Sequence, residues 1–335
     1  MKVLVTGAFG NVGRSSLSAL SKLGDEVTVL EADSPANRKL APRLSRELGH
    51  EGRPAFSTLL LGDIRDPGLA VRATAGQDAI IHLAALIPPR ADQFPELARS
   101  INVEGTRNLI EAVKAQNAGR APRFVLASSI SIYGDRVRNF WISAGDQVKP
   151  SPSDGYGRSK VEAEALLRGS DLPFSILRLT YIVWRKKLDP DPLLFHMPLD
   201  TKIEICHTED TGRAFAAAAH SDEALGRTWN IGGGEACRTD YRSYLGRMFA
   251  LFGLGRRPKL PEAAFAAEGF HCGWYADSDE AESTLHFRRK SLEDYYAEVA
   301  EETRWLRLGA AMLRPLILAR VLAQSPFLKK SMAGG

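Results

Sequence analysis

Residues 2–13 read Lys2-Val3-Leu4-Val5-Thr6-Gly7-Ala8-Phe9-Gly10-Asn11-Val12-Gly13, and the reading of this stretch decides the fold class. The run from Lys2 to Thr6 is short, apolar and closed by glycine, the pattern of a strand buried on both faces of a parallel sheet. Leu17, Leu20 and Leu23 then recur at helical spacing until Gly24 stops them, and Glu26 to Leu30 reads as a second strand. Residues 2–31 are therefore one strand–helix–strand unit with a glycine turn at its first corner. In such a turn Gly7 allows the sharp bend, Gly10 lets the backbone approach a phosphate, and Gly13 lets the helix pack on the strand. A pyrophosphate held there meets the positive end of the helix dipole. Glu31 lies at the end of the second strand, where its carboxylate accepts hydrogen bonds from ribose hydroxyls and repels a 2′-phosphate. The expected cofactor is NAD rather than NADP, with Arg38 and Lys39 as the nearby cations able to hold a phosphate.

Working outward, residues 58–61, 79–83, 123–127 and 174–179 are further apolar strand candidates, with helical stretches between most of them. Asn102 to Ala115 is the clearest helix, carrying Leu109, Ile110 and Val113 on one face. This alternation predicts an α/β fold, a doubly wound parallel Rossmann sheet with right-handed crossovers and a smaller C-terminal substrate-binding lobe. The expected division is a dinucleotide-binding domain over 1–180, a substrate lobe over 181–303 and a helical extension over 304–335. A late strand near 228–232 is expected to return to the first sheet.

Composition excludes several classes. Of 335 residues, 44% are hydrophobic and 25% charged, and 44 Lys and Arg against 40 Asp and Glu give a formal charge of +4 without a long run of one sign. No nucleic-acid partner is expected from so mild a balance, and a small-molecule substrate is. Cys206, Cys237 and Cys272 are widely separated and lack the spacing of a zinc site or a disulfide framework, so no metal is expected. Because Met1 runs directly into the first strand, a cytoplasmic location is expected.

The chemistry-bearing residues lie near mid-chain. Tyr156-Gly-Arg-Ser-Lys160 opens a helical stretch, so Tyr156 and Lys160 share one face. A lysine ammonium one turn away is expected to lower the phenol pKa toward a working general acid or base. The strand 123–127 ends in Ser128-Ser129, followed by Ile130-Ser131-Ile132-Tyr133-Gly134, which sets small hydroxyls at the carboxyl edge of the sheet, where ligands bind in open α/β folds. A serine there can steady a substrate oxygen as charge develops. Ser128, Ser129, Ser131 and Tyr133 all compete for that role.

An ordered set of motifs now stands in the chain: TGAFGNVG (6–13), GDIRD (62–66), HLAA (82–85), NVEGTRNL (102–109), SSISIYG (128–134), YGRSK (156–160), LRLT (177–180), HTEDTGRA (207–214) and NIGGG (230–234). The chain resembles the extended short-chain dehydrogenases, including the NAD-dependent epimerase/dehydratase group and its UDP-sugar epimerases. The resemblance implies Ser129, Tyr156 and Lys160 as the catalytic residues. It implies that Phe9, Asn11 and Val12 of the glycine loop join Gly7, Gly10, Gly13 and Glu31 at the cofactor. Asp63 and Ile64 would line the adenine, Leu83, Ala84 and Ala85 the length of the cofactor, and Thr180 and Ile182 the nicotinamide. Asn102 would be a structural or proton-relay residue beside the cofactor, His82 a packing residue, and Asp210 structural. The implied activity is NAD-dependent oxidoreduction or epimerisation of a secondary alcohol or ketone, possible substrates including a sugar or sugar nucleotide, by a homodimer. A non-catalytic dinucleotide-binding scaffold of the same fold is the alternative, and the intact triad weighs against it.

Two departures stand out. Where the family has a proline and a tyrosine-glycine-proline turn, this chain reads Leu179-Thr180-Tyr181-Ile182-Val183-Trp184, and the stretch to His207 is short for a lobe enclosing a nucleotide diphosphate. Arg185, Lys186 and Lys187 are expected to be a solvated basic run rather than an anion site. The other departure is Trp305 to Ala323, rich in Leu, Ala, Ile and Met but interrupted by Arg307, Arg314 and Arg320, too short for a membrane span and broken by Pro315. Packing on the body or another subunit is the expectation there, with contact at an anionic membrane surface as the alternative.

Overall fold

The computed structural model describes residues 1–116, 121–186, 193–255 and 260–328. In chain order it runs β1 (Lys2–Thr6), α1 (Asn11–Leu23), β2 (Glu26–Glu31), α2 (Pro35–Glu47), β3 (Thr58–Leu61), α3 (Pro67–Thr74) and β4 (Ala79–His82). Two short helices, α4 (Arg90–Gln93) and α5 (Pro95–Arg99), lead through a π-helical turn at Ser100–Glu104 into α6 (Gly105–Gln116) and β5 (Arg123–Ser129). Next come β6 (Trp141–Ile142), α7 (Gly155–Arg168), β7 (Phe174–Leu179), β8 (Tyr181–Val183), β9 (Lys202–His207), α8 (Thr208–His220) and β10 (Arg227–Ile231). The remainder is β11 (Arg238–Asp240), α9 (Tyr241–Leu251), β12 (Trp274–Tyr275), α10 (Ser278–Leu285), α11 (Leu292–Thr303), α12 (Arg307–Met312) and α13 (Arg314–Leu322).

Seven strands form one sheet in the order β10-β7-β5-β4-β1-β2-β3. Every neighbouring pair is parallel. Parallel pairing needs crossovers, and helices on both faces make the central strands apolar throughout: Val3, Leu4, Val5, Ile80, Ile81, Phe124 and Val125 are fully buried. The order reverses between β1 and β4, and the glycine turn after β1 opens at that switch point. α1 ends where Gly24 adopts a left-handed φ of 76° and its N–H reaches the carbonyls of Leu20 and Ser21.

A smaller lobe is built mainly from the chain that follows β7. It holds the three-stranded β11-β9-β8 sheet, the β12-β6 pair and an aromatic core in which Tyr181, Tyr241, Tyr244, Tyr295 and Tyr296 meet ring to ring. Fully buried Glu204 ties this lobe together by accepting hydrogen bonds from the Gly234 and Tyr275 N–H groups, Arg238 Nε and Ser278 Oγ. Such a carboxylate is tolerable only because each lone pair finds a donor.

Candidate active site

The glycine turn is shaped by close approach. Gly7 adopts φ +67°, and a Cβ on Gly13 would lie 2.4 Å from the Gly7 carbonyl oxygen, so the turn and helix α1 meet only without a side chain. Gly10 at the head of α1 brings no side-chain cap, leaving the first N–H groups of the helix facing the cleft. At the end of β2, Glu31 accepts from the N–H of Phe9 at 3.0 Å and of Ala32 at 3.1 Å. Asp33 lines the same end of the cleft, while Arg38 is turned away onto it in a two-pronged ion pair.

From this turn a cleft of about 1050 Å³ runs along the carboxyl ends of the strands. Gly7, Gly10, Asn11, Val12, Gly13, Glu31, Asp63, Ile64, Leu83, Ala84, Ala85, Ser129, Tyr156, Lys160, Thr180 and Ile182 all line it. Phe9 and Asn102, expected beside the cofactor, do not. The Phe9 ring is buried against Phe56 at 6.0 Å, because its N–H is committed to Glu31 and its side chain points into the core. Asn102 is buried behind the cleft wall, where its amide accepts from Leu86 N–H at 2.7 Å and donates to Leu86 O at 3.1 Å and Ser159 Oγ at 3.0 Å. Ser159 Oγ in turn donates to the Tyr156 carbonyl at 2.7 Å. Asn102 thus pins the wall segment to the start of α7, which makes it a positioning residue. The π-helical turn at Ser100–Glu104 is what aims it there.

His82 is likewise behind the cleft, 2.7 Å from Thr6 Oγ1 and 3.0 Å from Thr106 Oγ1. Burial, helped by the Lys160 charge, pushes it down to about 3, so the ring is neutral and bridges β4 to its neighbours. Asp210 is fully buried on α8, away from the cleft, accepting from the N–H groups of Arg289 and Lys290.

At the far end of the cleft, α7 begins where the Asp154 carboxylate accepts from Gly157 N–H at 2.7 Å. This cap sets Tyr156 and Lys160 on the face toward β5. The Lys160 ammonium donates to the Ala127 carbonyl at 2.9 Å and stands 5.8 Å from the Tyr156 ring centre. The Tyr156 hydroxyl hydrogen-bonds with Ser129. That contact distinguishes Ser129 from Ser128, which also lines the cleft but keeps a buried hydroxyl that makes no hydrogen bond to Tyr156; Tyr133 is consumed by Asn230 and Arg178, both at 2.8 Å, and neither Ser131 nor Tyr133 lines the cleft.

The electrostatics differ from the expectation for Tyr156. Burial pushes its phenol above the ordinary value, the Ser129 hydrogen bond pulls it back in part, and Asp154 adds to the rise. The Lys160 ammonium is directed onto the Ala127 carbonyl and is itself buried. Burial brings Lys160 down to about 8 against the pull of Glu164.

One component had gone unnoticed in the sequence. Glu164, one turn beyond Lys160, is clamped by Arg178 of β7 through Nε–Oε1 at 3.0 Å and Nη2–Oε2 at 2.8 Å, both groups buried. Arg178 also donates to Tyr133 Oη at 2.8 Å and Ala144 O at 2.9 Å. An arginine inside an otherwise apolar strand, and a glutamate four residues past Lys160 on the same helix face, were the signals available. The basic run resolves differently: Arg185 pairs with Glu301 and Glu302 and does not line the cleft, while Lys187 lies outside the described residues. Among the described residues no group of His, Cys, Asp and Glu is arranged to hold a metal.

The comparisons with known proteins agree with this architecture. Residues 3–183 match the NAD dependent epimerase/dehydratase family. The chain is 32% identical over 183 residues to a 3-beta-hydroxysteroid dehydrogenase of Mycolicibacterium neoaurum, covering 51% of this chain and 43% of that protein. It is 30% identical over 175 residues to an L-arabinose 1-dehydrogenase (NAD(P)(+)) of Haloferax volcanii, covering 49% and 59%. The chain spans about half the length of the curated relatives it matches most strongly. In fold it is similar to a UDP-glucose-4-epimerase from Stenotrophomonas maltophila, solved with bound NAD and a formylated UDP-arabinopyranose, at a TM-score of 0.73 and 20% identity over 92% of this chain and all of that one. With more than half of its length matched, and with the glycine turn, the acidic strand end and the serine–tyrosine–lysine cluster on one cleft, the chain belongs to the NAD-dependent epimerase/dehydratase family.

Proposed function

We propose that the protein is an NAD-linked oxidoreductase that interconverts a secondary alcohol and its ketone, with Ser129, Tyr156 and Lys160 as the reacting group. The observation that carries this reading is that one continuous cleft begins at the glycine turn and ends on those three side chains. The residues present fit a dinucleotide: an uncapped helix start for the pyrophosphate, a cradle closed to any Cβ at Gly7 and Gly13, and carboxylates at the ribose end. Bound there, NAD supplies the acceptor or donor of hydride. Ser129 Oγ steadies the substrate oxygen, Tyr156 Oη takes or returns its proton, and the Lys160 ammonium supplies the positive charge beside them. A phenol held above its ordinary pKa keeps its proton at neutral pH and can give it to the alkoxide oxygen that develops as hydride reaches the ketone carbon, a stronger base than the phenolate.

Two carboxylates, Glu31 and Asp33, face the ribose end, and Arg38 is occupied by Asp33. A 2′-phosphate near one such charge costs about 1–4 kcal/mol. Turnover with NAD⁺ should therefore exceed that with NADP⁺ by at least roughly tenfold in kcat/KM. The double substitution Glu31→Ser with Asp33→Asn, which removes both charges and releases Arg38, should bring the two cofactors close to parity. Unchanged NAD preference in that variant would contradict the assignment of the carboxylates.

The substrate end is apolar. Leu86, Ile87, Leu97, Tyr181, Trp184 and Phe270 wall it, and among the described residues there Arg90 alone carries a fixed charge. His271, in the same wall, is pushed down to about 4 by burial and is neutral. A sugar diphosphate entering such a pocket would find one cation, Arg90, to set against its two phosphates, whereas a carbocyclic alcohol would need no such match. We therefore place the substrate among low-polarity ring alcohols and ketones, as distinct from the UDP sugars bound by the structural relatives. The test measures NADH formation from NAD⁺ with a 3-hydroxysteroid, and both NADH formation and conversion to the 4-epimer with UDP-glucose. The steroid should be favoured by at least roughly tenfold in kcat/KM, and preference for UDP-glucose would overturn the substrate class while leaving the redox assignment standing.

A further inference from the structure

We propose that the outer face of the C-terminal helices seats this protein on an anionic lipid bilayer. Among the described residues twelve large apolar side chains are exposed, and six of them, Trp305, Leu306, Leu308, Met312, Leu313 and Leu316, fall within one stretch of twelve residues. Trp305 and Leu308 are each 80% exposed and Met312 79%. The other side of the same helices is apolar too: Ala310, Ile317, Leu318, Val321 and Leu322 pack on the core of the smaller lobe. A helix apolar on every side belongs in an apolar surround, and here the chain supplies only half of it.

Charge identifies the other half. From residue 304 to the last residue the sequence holds Arg304, Arg307, Arg314, Arg320, Lys329 and Lys330 and not one Asp or Glu. Arg304, exposed, lies over the Trp305 ring at 4.7 Å, and Arg320 is exposed on α13. Apolar side chains with cations around them match an interface of acyl chains and anionic headgroups. A second copy of this chain is a poor match, because a two-fold contact through this face would set like charges against one another. No helix among the described residues is long and apolar enough to cross a membrane, so α12 and α13 lie in the interface.

The place of this face in the molecule gives it a use. Leu193 lines the cleft and belongs to the same apolar cluster as Ile317, Leu318 and Phe327, and His196 meets the Phe327 ring at 5.7 Å. The bilayer is thus brought beside the segment that walls the substrate end. The seating itself rests on the exposed apolar face and its charge, independently of which alcohol is turned over.

The test is flotation of the full chain with vesicles of mixed phosphatidylcholine and phosphatidylglycerol, compared with pure phosphatidylcholine. The protein should float with the mixed vesicles, less with the neutral ones, and less as salt is raised. The triple substitution Trp305→Ser, Leu308→Ser and Met312→Ser should lower partitioning by at least about a thousandfold, at about tenfold or more per side chain. Arg304→Glu with Arg320→Glu should abolish the preference for anionic vesicles. Because all five side chains are exposed, melting temperature and NADH affinity should not change, which separates loss of binding from loss of folding. Failure of the wild-type chain to float, or flotation of the triple variant equal to wild type, overturns the proposal. So does a change of oligomeric mass on triple substitution without any vesicle binding by the wild type, which would make the face a contact between copies.

Discussion

Replacing Tyr156 by Phe should lower turnover of any accepted alcohol or ketone by about 10²–10⁴-fold while NADH affinity stays within about threefold. The phenol lies at the end of the cleft in contact with Ser129, and the ring itself packs beneath Lys160, so removing the hydroxyl deletes the proton carrier and keeps the wall. A merely structural tyrosine would move Tm and leave kcat alone. NADH binding together with unchanged turnover in Tyr156→Phe would sink the proposed mechanism. The pH dependence follows from the same pair. Ketone reduction needs the Tyr156 proton and the Lys160 charge together. Tyr156 is held above its ordinary value and keeps its proton across the neutral range, whereas Lys160 loses its own through about 8. Reduction measured as kcat/KM should accordingly be flat below that pH and fall by about tenfold per unit above it. Glu164→Gln should move the fall to lower pH, because the Glu164 carboxylate is the group holding the Lys160 charge up.

The second large effect is on stability. Arg178→Met should cost about 3–5 kcal/mol, because it strands the buried Glu164 carboxylate and also deprives Tyr133 Oη and Ala144 O of their donor. For a chain of this size that corresponds to a Tm lower by about 4–7 °C. The sign of its pH dependence is fixed by Glu164: burial pushes its carboxyl up, but the hydrogen bonds and charge of Arg178, with the smaller pull of its other neighbours, together outweigh burial and hold it below its ordinary value. Its contribution is therefore present above the unfolded carboxyl pKa and lost as pH falls through the folded one. The deficit of Arg178→Met should be largest near neutrality and shrink toward acid, as the stranded Glu164 takes up a proton. Adding Glu164→Leu should recover part of the loss, since a buried pair replaced whole costs less than a pair cut in half. Equal stability of wild type and Arg178→Met at neutral pH would show that the clamp carries no weight.

The sheet was legible from residues 2–31 because its signals are local: alternation of apolar runs and helical periodicity, glycines where a turn must tighten, and an acidic strand end. The pairing of Tyr156 with Lys160 was legible for the same reason, since four residues on a helix bring two side chains together whatever surrounds them. Other features were set by long-range packing. Phe9 reads as a loop residue, yet its ring goes into the core because Phe56 closes over it. Phe270 and His271 reach the cleft from more than a hundred residues beyond Tyr156, carried there by the smaller lobe.

By itself, then, the sequence determined the doubly wound sheet, the glycine turn and the pairing of Tyr156 with Lys160, all of them consequences of short-range spacing. Only the tertiary structure decided which serine meets Tyr156, that Asn102 works behind the wall, and that burial raises Tyr156 while bringing Lys160 down to about 8. The physical reason is that hydrogen-bond partnership and desolvation depend on what distant segments pack against a group, and a pKa follows from that burial more than from its neighbours in the chain.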